Sequence, residues 1–206
     1  MAARNIAPLI LVLASANAGK QSEFEALLAP VGMQLVLQCA LGIDSVAETG
    51  TTFEANALLK ARHAAARSGL PALADDSGLE VDALDGRPGV WSARYAGATA
   101  TDADNNARLL SELAGLPPER RGARYGCVLA LVRSAGDAAP LIASGSWEGR
   151  IGTQPAGRGG FGYDPLFVPE GLEVTAAELP VAQKNALSHR ARALTALLAR
   201  LSLHGL

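Results

Sequence analysis

Short apolar runs recur along this chain, and stretches of helical period or turns separate them. Residues 9–13 form a continuous apolar run that reads as a buried strand. A polar segment follows, and then a helix over residues 20–28 with Phe24, Leu27 and Leu28 on one face. Residues 34–38 read as a second strand. Residues 52–68 read as a helix, with Thr51 and Glu54 at capping-box spacing and Gly69 and Pro71 as its stop. Its apolar side carries Phe53, Ala57, Leu58, Ala61, Ala64 and Ala65, while Asn56, Lys60, His63 and Arg67 recur on another side. Residues 79–84 alternate like a half-buried strand, and residues 86–89 form a turn. A helix over residues 102–113 with Thr101 as its cap comes next, followed by strands at 125–132, 141–147 and 166–168. A last helix at 188–203 has an apolar stripe. Strands alternating with helices predict an α/β fold.

At 206 residues the chain can bury a sizeable core without disulfides or a structural metal. Aromatic residues are 4% of the chain, so that core must rest on Ala, Leu and Val, and Trp147 and Phe161 stand out in glycine-rich surroundings. The net charge is −2 with no basic run, which disfavours nucleic-acid and membrane-surface binding but leaves room for a local basic pocket. Cys39 and Cys127 lie far apart in apolar contexts and read as reduced thiols. The N-terminal apolar stretch is too short to span a bilayer and ends without a small-residue cleavage site, so a cytoplasmic protein is expected.

Five segments can carry chemistry. Ser15, Ala16, Asn17, Ala18, Gly19 and Lys20 lie between a strand and a helix, where free N–H groups and a lysine suit a phosphate, although the P-loop pattern is not met. Glu48, Asp75 and Asp76 suit a hard divalent cation, and the Asp-Asp-Ser-Gly run equally suits a turn. Lys60 sits on the second helix, where the ordinary reading is a solvated side chain. Phe161, Gly162, Tyr163 and Asp164 close a glycine-rich loop. There Phe161 can stack on a base and Asp164 can accept from a base N–H, or the aromatics can cover the edge of the core. Lys184, Ser188, His189 and Arg190 cluster donors at a helix start.

These segments, with Glu48-Thr49-Gly50, Asn56-Ala57, Ala74–Leu79, Ser92–Tyr95 and Lys184-Asn185, resemble the inosine/xanthosine triphosphate pyrophosphatase family nearly end to end. Two positions depart from its pattern: Ala55 and Gln183 stand where glutamate is common. The resemblance implies a curved mixed β-sheet flanked by helices, in one domain whose two lobes enclose a central substrate cleft. It also implies a homodimer and hydrolysis of ITP, dITP or XTP to the monophosphate and pyrophosphate. In that reading, residues 15–20 and Lys60 hold the triphosphate, and Glu48 and Asp76 hold Mg²⁺. Asp76 is also the general base, and Ser77 touches the substrate. Phe161, Gly162, Tyr163, Asp164, Lys184, His189 and Arg190 hold the purine. A metal-free nucleotide-binding module and a hydrolase of modified pyrimidine triphosphates are the rival readings.

Overall fold

The computed structural model describes residues 10–15, 18–28 and 33–203. Six strands form one mixed sheet in the order β2-β1-β3-β4-β5-β6. Strand β1 (Ile10–Leu13) runs parallel to both its neighbours, β2 (Gln34–Leu37) and β3 (Ala72–Val81). Strands β4 (Gly122–Val132), β5 (Leu141–Ile151) and β6 (Phe167–Pro169) extend the sheet antiparallel from β3.

Alternation along the strands sorts the core into two faces. On one, Leu11, Leu13, Leu73 and Leu129 meet Phe24 and Leu28 of helix α1 (Ala18–Leu28) and Leu194, Leu197 and Leu201 of helix α5 (His189–Leu203). On the other, Val12, Ala14, Ala72 and Ala74 meet Ala57, Ala61, Ala64 and Ala65 of helix α2 (Phe53–Ser68). Alanine on both sides brings this helix close to the sheet, so a core poor in aromatics can still be dense. A third cluster joins Leu109 of helix α3 (Asp102–Glu112) to Leu79, Tyr125, Trp147 and Phe167 at the far end of the sheet. Trp147 is thus a core residue, in edge contact with Phe167. Among the described residues no helix is long and apolar enough to cross a membrane.

Several local expectations are corrected. Residues 75–78 are not a turn. Strand β3 runs straight through them, each residue paired with β4, from Asp75 opposite Leu129 to Gly78 opposite Gly126. The turn preferences of Asp, Ser and Gly are local, and a complete ladder of backbone hydrogen bonds overrides them. The same strand ends at Val81 rather than Leu84, where a 3-10 turn (Asp82–Leu84) and a left-handed Asp85 bend the chain. The cap of α2 is Thr52, whose hydroxyl accepts from the Ala55 amide, and Glu54 makes no reciprocal box with Thr51. A capping box does form at α3, between Thr101 and Asp104. Strands β4 and β5 are longer than their apolar cores suggest. The last helix is preceded by a separate one, α4 (Val181–Leu187). Between α4 and α5, Ser188 is extended, and its hydroxyl accepts from the Ala191 amide, capping α5.

Close approach of α5 to β5 is what places the start of that helix at the sheet. A Cβ added at Gly145 would lie 2.4 Å from the Ala193 nitrogen and 2.5 Å from the His189 oxygen. Gly145→Ala is therefore expected to destabilise the protein by about 1–3 kcal/mol through overpacking. Urea unfolding measures this, and an unchanged midpoint would show that the helix has room to retreat.

Candidate functional site

Strand β1 pairs with β3 only as far as Leu13 opposite Leu73. Beyond that point the β1 side of β3 is open, and Asp75, Asp76, Ser77 and Gly78 border a crevice at the carboxyl end of β1. This is the customary place for ligands in such sheets. Successive side chains leave a strand on opposite faces, so the two aspartates part company. Asp75 turns toward α1 and α5, where the Lys20 ammonium lies 2.8 Å away and the Arg190 guanidinium 3.5 Å away. Asp76 turns toward α2, accepting from Lys60 at 2.9 Å and from the Asn56 amide at 3.1 Å.

Lys60 is consequently not a solvated side chain. Its ammonium also donates to Glu48 at 2.7 Å, so one cation bridges two carboxylates, and Arg94 reaches the second oxygen of Glu48 at 3.4 Å. Asn56, one turn before Lys60, is fully buried and also accepts from the Gly50 amide, which ties down the segment carrying Glu48. Of the polar row of α2, Asn56 and Lys60 face the site, whereas His63 bonds the Asp44 carbonyl and Arg67 is exposed.

Burial and charge set distinct states for these groups. Burial pushes the Asp75 carboxyl up, but Lys20, Arg190 and Lys60 outweigh it and hold Asp75 well below the ordinary carboxylate range. Burial dominates at Asp76, and with Glu48 nearby it leaves that carboxyl above its usual value despite Lys60. At Glu48, burial is overcome by Lys60, Lys20 and Arg94, and the carboxyl is lowered. At Lys60, burial is overcome by Asp75, Asp76 and Glu48, and the ammonium is stabilised. Asp76 is thus the carboxylate of higher proton affinity, the property a general base needs.

The other end of the crevice is built on a buried set of alternating charges. Glu23 accepts from Lys184 at 2.9 Å and from Arg190 at 2.7 Å. Lys184 also pairs with Asp164 at 2.7 Å, and Arg190 donates to Ser77 at 2.9 Å. The Phe161 ring lies over these cations, 4.8 Å from the Lys184 ammonium and 5.2 Å from the Arg190 guanidinium. Facing the pocket is His189, stacked on Tyr125 with ring centroids 4.8 Å apart and 8° between planes. Both imidazole nitrogens are buried without a hydrogen-bond partner among the described residues. Burial, reinforced by Arg190, keeps the ring neutral by holding its pKa well below the ordinary imidazole value.

Lys20, Glu48, Asp76 and Ser77 share a single open pocket of about 720 Å³ with Phe161, Gly162, Tyr163, Asp164, Lys184, His189 and Arg190. A smaller hollow beside it is lined by Ser15, Gln38 and Ser45 with Lys20 and Lys60. Of the expected phosphate loop, Ala16 and Asn17 lie outside the described residues, and Ala18 and Gly19 open helix α1. Two expectations change in detail. The Asp164 carboxylate is turned inward, accepting from the Phe161 amide and the Tyr125 hydroxyl, and so anchors its loop instead of offering a free acceptor. The Tyr163 side chain is buried and donates to the Ser92 carbonyl. Tyr125 carried no signal in the sequence. Glu23 did: a carboxylate beside Phe24 on the apolar face of α1 must find buried cations. Among the described residues no group of three or more His, Cys, Asp or Glu is arranged to hold a metal ion.

The model of the Ham1 family matches residues 11–200. The chain is 58% identical over 191 residues to the dITP/XTP pyrophosphatase of Methylococcus capsulatus, covering 93% of this chain and 95% of that protein. It is similar in structure to a HAM1 protein from Coxiella burnetii, with a TM-score of 0.87 and 47% identity, covering 94% of this chain and 98% of the other. It also resembles the nucleoside-triphosphatase, dITP/XTP pyrophosphatase, from Mycobacterium abscessus. There the TM-score is 0.74 at 46% identity, covering 92% and 98% of the two chains.

A histidine kept neutral in the fold but free to charge when unfolded makes stability depend on pH. The unfolded chain binds the extra proton below about pH 6.5, so this contribution is present above that value and is lost as pH falls. The urea midpoint should decline from about pH 7 to 5, and less steeply in His189→Gln. Parallel curves for the two proteins would show that the imidazole is not held neutral.

Proposed function

The chain belongs to the Ham1 family, and from that premise we propose that it hydrolyses non-standard purine nucleoside triphosphates such as ITP, dITP and XTP to the monophosphate and pyrophosphate. The observation that carries this reading is the polarity of one continuous pocket. Paired carboxylates and lysines stand at one end, and an aromatic ring and a neutral imidazole stand at the other.

In this reading the purine lies against Phe161, and its edge meets His189. Residues 15–20 and Lys60 take the polyphosphate, with Lys20 standing where the pocket joins the smaller hollow. Ser77, fixed between Asp75 and Arg190, contacts the substrate midway. A water attacks the α-phosphorus, the bond to the oxygen bridging the α- and β-phosphates breaks, and pyrophosphate leaves with that oxygen. Asp76 takes the proton of the attacking water, and Lys60 holds the Asp76 carboxylate in place.

The residues present fit a magnesium ion. Such an ion needs one or two carboxylates and completes its shell with water and substrate phosphates, and Glu48 and Asp76 already converge on a single cation, the Lys60 ammonium. Bound there, Mg²⁺ would neutralise the phosphates and stabilise charge on the transferring group. Glu54, beside the departure at Ala55, is exposed on α2. The proposed enzyme is one domain of two lobes, a homodimer, and cytoplasmic. No nucleic-acid or membrane partner enters the reading.

Purified protein with Mg²⁺ and ITP should release pyrophosphate and IMP, much faster than from ATP, and chelation should stop turnover. Orthophosphate as the first product would exclude the proposed bond cleavage, and tight ITP binding without turnover would make the protein a binding module. Asp76→Asn should fold and lose about 10²–10⁴ in kcat, the usual worth of a general base. A variant retaining full kcat would remove Asp76 from that role.

A further inference from the structure

The loop that presents Phe161 is held by the first turns of helix α3, where Asp102 itself borders the pocket. The side-chain amide of Asn106 donates to the Gly162 carbonyl at 2.9 Å, and the Asp102 carboxylate accepts from the Gly162 amide at 2.6 Å. Residues four apart lie on one face of a helix, so a single face of α3 grips both polar groups of one residue. The residue gripped has a left-handed backbone, with φ +62° at Gly162 and +72° at Gly160. Between those two glycines sits Phe161, whose own amide is held by Asp164.

The same helix holds a second stretch of the lining. Asn105, buried, donates to the Ala93 carbonyl and accepts from the Ala96 amide. Ser92 and Ala93 line the same pocket as Phe161. Helix α3 therefore anchors two separate segments of one pocket.

We propose that Asn106 and Asp102 are positioning residues that fix Phe161 for stacking on the substrate base, a role that rests on the proposed nucleotide hydrolysis. Neither has to touch the base; each acts through the peptide of Gly162. The two contacts differ in weight. Asn106 is buried, and losing its donor strands a shielded carbonyl, whereas Asp102 is exposed and water can replace it. The Gly162 carbonyl also dictates which way the amide points, because the reverse orientation would set two acceptors face to face. An aspartate at position 106 would do the same permanently.

The test is steady-state kinetics with ITP and Mg²⁺, with Phe161→Ala as the reference. Asn106→Ala should raise KM about tenfold with kcat within about twofold, and Asn106→Asp should raise KM at least as far. Asp102→Ala should raise it about threefold, and Asp102→Asn, which keeps an acceptor, should restore most of the loss. In the Phe161→Ala background, Asn106→Ala should add less than about twofold, since the side chain it positions is already gone. Effects that multiply across the two backgrounds would overturn the proposal. So would an unchanged KM in both Asn106→Ala and Asp102→Ala, or a loss confined to kcat. If one variant fails to fold, the other and Asp102→Asn carry the same comparison. Wild-type protein that neither binds nor cleaves ITP would instead overturn the hydrolase reading, and the positioning role with it.

Discussion

A carboxylate as deeply buried as Asp75 can stay charged only if cations are held against it, and the rest of the site follows from that demand. Lys20 comes from the start of α1 and Arg190 from the start of α5, two helices packed side by side on one face of the sheet. Arg190 then needs more than one anion, and Glu23 of α1 supplies the second. Glu23 in turn draws in Lys184, and Lys184 draws in Asp164 beneath the Phe161 loop. One buried charge on β3 thus propagates through alternating partners from one end of the pocket to the other. Removing a member would leave a neighbour unpaired in a shielded place, a far larger penalty than losing an exposed ion pair.

On the opposite face of the same strand the logic is looser. Asp76 is buried but Glu48 and Lys60 are only partly so, and one ammonium serves two carboxylates. Under the proposed function, Mg²⁺ would bind these two carboxylates that Lys60 now bridges. Cations outweigh burial at Asp75 and do not at Asp76, so the first is held as an anion and the second, under the proposed function, takes a proton. Adjacent residues of identical type acquire different roles because a strand points them into different surroundings.

This division also marks what the sequence could disclose. The elements were legible from periodicity, and α2 was the plainest, with its alanine face and its Gly69–Pro71 stop. The cluster of site residues was legible as a set of motifs; one pocket collects Lys20, Glu48, Asp76, Ser77 and the candidates at 161–164, 184, 189 and 190, while Ser15 and Lys60 line the hollow beside it. The continuity of β3 was not, because Asp-Asp-Ser-Gly has strong local turn preferences and only the ladder with β4 reverses them. The burial of Lys60 was hidden for a related reason. A lysine on a helix looks the same in sequence whether its tip meets water or the carboxylates of two other segments. Tyr125 and the α3 contacts with Gly162 depend on pairings across the fold that no local pattern records.

The unpartnered nitrogens of His189 tie this architecture to discrimination. The His189 nitrogens have no protein partner among the described residues, and the ring lines the open pocket, so a ligand there can bond them. A neutral ring offers one donor and one acceptor, and burial, reinforced by Arg190, keeps it neutral. Under the proposed function, such a ring can donate to a 6-keto oxygen or accept from a 6-amino group by exchanging tautomers, so it does not discriminate alone. Arg190, which lines the same pocket, is a donor only: it can serve a 6-keto oxygen but leaves adenine's amino group facing a donor. The stack on Tyr125 and the position at the start of α5, pressed against Gly145, hold the His189 ring beside it.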